Sequence, residues 1–108
     1  MSLTSKNVLL LGRTGVVIEE ARQQLDMPHL QLFGGTGLDD ARSAFAQTSI
    51  DHVIMGAGID LETRLEIVRE VFRSSDRTTV HMKDRISGKQ TFLAFARSVL
   101  RGLNDYQL

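Results

Sequence analysis

The sequence predicts a single α/β domain of three layers, built on a four-stranded parallel sheet with four helices. Four short apolar runs alternate with four stretches of helical period across the 108 residues, and little is left over. Each run ends in turn chemistry, three in glycine-rich loops and the fourth in a charged one. Two of the runs are continuously apolar, as strands buried on both faces must be, and two are interrupted by polar residues.

In chain order, Val8-Leu9-Leu10-Leu11 closes on Gly12-Arg13-Thr14-Gly15, and Leu30-Gln31-Leu32-Phe33 closes on Gly34-Gly35-Thr36-Gly37. Val53-Ile54-Met55 ends at Gly56-Ala57-Gly58, and Thr79-Val80-His81-Met82 runs into Lys83-Asp84-Arg85. Between them, Val17, Ala21 and Leu25 recur at helical spacing with Ile18 beside them, and Leu38, Ala41 and Phe45 make a narrower stripe. Leu61, Leu65, Val68 and Phe72 form the clearest stripe, joined by Ile67 and Val71. Phe92, Ala96, Val99, Leu100 and Leu103 mark the last helix, with Phe95 at its margin. Ser87 three residues before Gln90 is a capping-box pattern, Asp60 caps the helix opening at Leu61, and Thr36 with Asp39 repeats the idea with a shorter acid. Pro28, the sole proline, falls at a break. Residues 1–108 form one unit, with 1–5 and 105–108 expected to fray.

Strand composition also predicts an order. Placing the two continuous runs in the centre gives 2-1-3-4, a Rossmann-like, flavodoxin-like doubly wound sheet without a fifth strand. The chain reverses its winding between strands one and three, and ligands of such sheets bind beyond the strands' carboxyl ends at that point. Strand four is left as an open edge, which predicts a homodimer through that strand or the last helix.

Composition narrows the partners. Thirteen Lys and Arg balance thirteen Asp and Glu, so the basic excess of a non-specific nucleic-acid or anionic-membrane binder is lacking. There are no cysteines, which excludes disulfides, thiol nucleophiles and cysteine-ligated metals. No apolar run approaches the roughly 20 residues of a membrane helix, and no signal-peptide core opens the chain. The expectation is a soluble, cytoplasmic domain.

The glycine turns Gly12–Gly15 and Gly56–Gly58 flank the predicted crevice, where glycine lets a backbone or a ligand come close. Helix-opening amides there favour an anion. Arg13, Lys83, Arg85 and Lys89 bring positive charge to the same edge. The candidate ligand site is therefore Gly12, Arg13, Thr14, Gly15, Gly56, Gly58, Asp60, Arg64, Lys83 and Arg85, for a small phosphorylated or nucleotide-like ligand; no cofactor is specified. Arg64 lies inside the apolar arc of its helix, either as a snorkelling side chain or as a clamp. Asp60 as a base with Lys83 as charge stabiliser is the least supported reading. The other function in view is a non-catalytic, homodimeric protein-interaction module without a small-molecule ligand.

Known motifs set limits. Ser87-Gly88-Lys89-Gln90-Thr91 lacks a Walker A glycine at Lys83 and has Gln90 where Ser or Thr is needed. Gly35-Thr36-Gly37 begins a G-x-G-x-x-G fingerprint, but Asp40 holds the third position. The turn Leu11-Gly12-Arg13-Thr14-Gly15 resembles the first turn of Rossmann-type nucleotide-binding proteins, over one turn of one βα unit. Strand order and length are also those of the receiver domains of two-component signalling. Those domains need acids where this chain has Gly12-Arg13-Thr14 and Met55-Gly56, so the resemblance is to inactive receivers acting as interaction modules. His29, His52 and His81 have no metal-ligand spacing and are expected to pack or to face solvent.

Overall fold

Successive side chains of a strand point to opposite faces, and the chain's apolar runs are divided accordingly. The computed structural model describes residues 5–84 and 91–105. Strands β1 (Lys6–Leu11), β2 (Leu30–Gly35), β3 (His52–Met55) and β4 (Thr79–Met82) alternate with helices α1 (Ile18–Leu25), α2 (Leu38–Gln47), α3 (Leu61–Ser74) and α4 (Phe92–Asp105). The strands form one parallel sheet in the order β2-β1-β3-β4, the flavodoxin-like arrangement. Leu9, Leu11, Val53 and Met55 are buried with α2 and α3 on one face, whereas Val8, Leu10 and Ile54 are buried with α1 and α4 on the other. Among the described residues no helix is long and apolar enough to cross a membrane.

Polar groups fasten the loops at the amino edge of the sheet. The Asn7 amide donates to Asp51, and its side chain donates to the Thr48 hydroxyl and the Ser49 carbonyl. Buried Thr78 donates to the Ile50 carbonyl at 2.6 Å, just before β4 begins. These bonds satisfy groups that would otherwise be costly to bury.

Several local expectations are revised. Gly34 and Gly35 belong to β2 rather than to the turn after it, paired with Leu10 and Leu11. Asp40, not Asp39, reaches back to the Thr36 amide, at 2.7 Å, because its side chain lies directly against Gly35. Val17 is 66% exposed: it is the N-cap of α1, so helical spacing does not govern it. In α3 the sheet takes Ile67 and Val71, while Leu61, Leu65 and Phe72 remain about half exposed or more. Two adjacent apolar arcs compete for one sheet face, and burying the first turns the second outward. The Ser87–Gln90 capping box lies outside the described residues; α4 opens with the Thr91 hydroxyl accepting the Ala94 amide.

Gly35→Ala is expected to destabilise the domain by about 1–3 kcal/mol in urea unfolding, because the new methyl group displaces Asp40 and its bond to Thr36.

Candidate functional site

The first turn is held at both ends. The Gly12 amide donates to the Gly35 carbonyl, and the Gly15 amide donates back to the Gly12 carbonyl. Gly15 has a φ of +87°, a conformation that costs any other residue strain. On the far side of the switch point, the Gly56 amide donates to the Leu11 carbonyl.

The expected crevice is occupied by the chain itself. A Cβ on Gly12 would lie 3.9 Å from the Phe92 ring, and one on Gly56 would lie 3.3 Å from it. One aromatic side chain from the start of α4 therefore covers both glycine turns. A Cβ on Gly58 would meet the Arg13 side chain at 2.8 Å, so Arg13 and Gly58 are in direct contact. Gly12, Arg13, Gly56 and Gly58 are thus brought together, around protein side chains.

The other candidates divide into smaller groups. Asp60 caps α3, accepting the Thr63 amide at 2.8 Å. Arg64 donates to the Lys83 carbonyl at 3.3 Å, joining α3 to the end of β4, while its Nε is buried without a hydrogen-bond partner. The Lys83 amide donates to the Met55 carbonyl, and its ammonium lies 3.4 Å from the Asp84 carbonyl. Arg85 and Lys89 lie outside the described residues. Thr14 and Gly15 alone among the candidates line a cleft of about 620 Å³, whose walls are residues 14–17, Glu20 and Gln24 on one side and Thr91, Phe92 and Leu93 on the other. The first turn of α1 opens there with no side-chain cap.

Two constellations escaped the sequence reading. Thr79 pairs in register with His52, and its hydroxyl lies 2.7 Å from His52 Nδ1 and 2.9 Å from His81 Nε2. The imidazole rings stand edge to face at 6.4 Å. Burial is the main cause lowering the pKa of His52; Asp51 opposes it, while His81 and Lys6 reinforce it. Burial also lowers the pKa of His81. No pattern within either strand reveals this cluster, because it depends on the register between them. Among the described residues no group of three or more His, Asp or Glu is placed to hold a metal ion.

The second is an apolar flank. Leu61, Leu65 and Phe72 on α3 and Met82 on β4 are all exposed. Arg64 reaches β4, whereas Glu70 approaches Arg42 of α2 at 3.6 Å. At about 100° per residue, Leu61, Leu65 and Phe72 therefore lie toward the β4 side of α3 and away from α2. The stripe itself is legible in the sequence; its outward orientation is not. Comparison of the chain with protein-family models, with curated proteins and with solved structures found no match. Fold and site together define a doubly wound α/β domain with a plugged switch point and an apolar open flank.

Both histidines titrate below their ordinary range, so the folded state resists protons that the unfolded chain accepts. Stability is expected to be level above about pH 7 and to fall as the pH drops through about 6.5. Urea midpoints across that range check this, and replacing both His52 and His81 with Gln should flatten the profile.

Proposed function

We propose that this chain is a protein-interaction module that docks through the flank formed by α3 and the open edge of β4. One observation carries the reading. Of the five large hydrophobic residues exposed among the described residues, four lie on α3 and β4, and their concentration there separates them from ordinary scattered surface hydrophobics. Of the glycines that invited a ligand reading, Gly56 lies against Phe92 and Gly58 against Arg13, while Gly15 has the positive φ that its turn requires. Asp60, the candidate base, serves as a helix cap.

A surface kept for docking contributes little to the stability of the isolated fold. Leu65→Ala is expected to change unfolding free energy in dilute protein by under about 0.5 kcal/mol, against about 2–5 kcal/mol for buried Ile67→Ala. Equal losses would make Leu65 part of the core and remove the docking face.

A second reading, a small phosphorylated or nucleotide-like ligand, is supported by the uncapped start of α1 facing its cleft. Inorganic phosphate and AMP are expected to raise the melting temperature of the wild-type protein under this reading. Val17→Asp should supply the missing cap, stabilising the free protein by about 0.5–2 kcal/mol and abolishing the rise. A wild-type protein indifferent to both probes contradicts phosphate and AMP recognition at this cleft.

A further inference from the structure

We infer that His52, Thr79 and His81 form an acid-released latch on β4, which holds the strand against β3 while the two imidazoles share the Thr79 hydroxyl and frees it once both carry a proton. The latch stands on its own, whether or not the α3–β4 flank docks a partner.

The strand it fastens is lightly held. Among the described strands β4 pairs with β3 alone, and none of its four residues is fully buried, unlike Val8–Leu11 and Val53–Met55 in the centre of the sheet. Side chains therefore matter to its attachment. The Thr78 hydroxyl donates to the Ile50 carbonyl just before the strand, and Arg64 donates to the Lys83 carbonyl just after it. Neither group changes charge between pH 5 and 8. The histidines between them do.

One hydroxyl joins the two rings. The Thr79 oxygen lies 2.7 Å from His52 Nδ1 across the strands and 2.9 Å from His81 Nε2 along its own strand. A hydroxyl has a single hydrogen to give. With both rings neutral, one imidazole donates its N–H to the oxygen, and the hydroxyl donates to the other. A first proton can enter on the far nitrogen of the donating ring and break neither bond. The accepting ring has only its bonded nitrogen left to protonate, so a second proton removes the acceptor of the hydroxyl. It also leaves two cations, half-buried, with ring centroids 6.4 Å apart. Opening β4 relieves both costs, because it separates His81 from His52 and returns the rings to water.

The surrounding charges do not offset this. Burial is the largest effect on His52 and disfavours its cation; Asp51 favours the cation, while His81 and Lys6 of β1 oppose it. Asp51 already accepts the Asn7 amide. On His81 burial alone acts. Lys83, two residues further along, holds its ammonium near the Asp84 carbonyl. Strand alternation sets His52 on the face of Ile54, beneath α1 and α4. There α4 contributes Phe95, Val99 and Leu103 to the core, while its Arg97 and Arg101 line a cleft shared with Gln24 of α1.

Amide exchange reads the latch directly. The Thr79 and Lys83 amides, on the Asp51 and Met55 carbonyls, report the attachment of β4, and the Gly56 amide, on the Leu11 carbonyl, reports the centre of the sheet. In the wild-type protein, followed by NMR and corrected for the intrinsic rate at each pH, Thr79 and Lys83 are expected to be about tenfold less protected at pH 5.5 than at pH 7.5. Low urea should barely change their exchange at pH 5.5, since local opening exposes little surface. Replacing both His52 and His81 with Gln should make their protection level across the two pH values. Thr79→Ser keeps a hydroxyl and should keep the acid response. Thr79→Val, read at Lys83, should start less protected at pH 7.5 and respond less to acid. Wild-type protection that stays level with pH overturns the latch. So does protection that follows Gly56 at every urea concentration, because β4 would then open only with the whole domain. A Thr79→Val protein with the full wild-type response overturns the shared hydroxyl as its cause.

Discussion

Burial of β1 and β3 on both faces is the constraint on which the rest of the molecule depends. Val8–Leu11 and Val53–Met55 are fully buried, and no single helical layer can cover residues that point alternately up and down. Helices must lie on both sides of the sheet, α1 with α4 and α2 with α3. The sheet must then wind in both directions from its centre, which sends all four strands parallel and gathers the glycine turns at one edge. On one side the sheet ends on the short strand β4, whose outer side has no neighbouring strand among the described residues.

The carboxyl edge shows how glycine can serve the fold rather than a ligand. Phe92 needs Gly56 beneath its ring, Arg13 needs Gly58 beneath its stem, and the Asp40 side chain needs Gly35 beside it. Each glycine removes a Cβ that a neighbouring side chain would strike, so the loops of β1 and β3 close upon the protein itself. Asp60 likewise caps its own helix, and Asp40 at the start of α2 holds the Thr36 amide just before it. The edge where sheets of this order receive ligands is thereby largely self-sufficient, and exposed apolar side chains concentrate instead on the flank of α3 and β4.

Strand order was legible in the sequence because two-sided burial leaves a compositional mark: the continuous runs of Val8–Leu11 and Val53–Met55 against Gln31 and His81 in the outer strands. The Asp60 cap was legible because it is a local interaction between residues three apart. What stayed hidden depends on contacts distant along the chain. Phe92 reads as an ordinary apolar helix residue until the fold lays it over turns 80 and 36 residues earlier. Thr79 joins two histidines only through the register of β3 and β4. In α3, helical spacing identified both apolar arcs but could not rank them, since the choice is made by the sheet beneath. Arg64 reads as a clamp or a snorkelling side chain by position alone; its bond to the Lys83 carbonyl requires the end of β4 to be in place.

Amide hydrogen exchange along β4 tests the account most directly, because it reads the open edge itself. In dilute protein Val80 and Met82 should exchange quickly, while inward-facing Thr79, bonded to the Asp51 carbonyl, is protected. Protection of Val80 and Met82 equal to that of Thr79 in dilute protein would contradict the account, because the outer side of β4 would then already be paired within the chain.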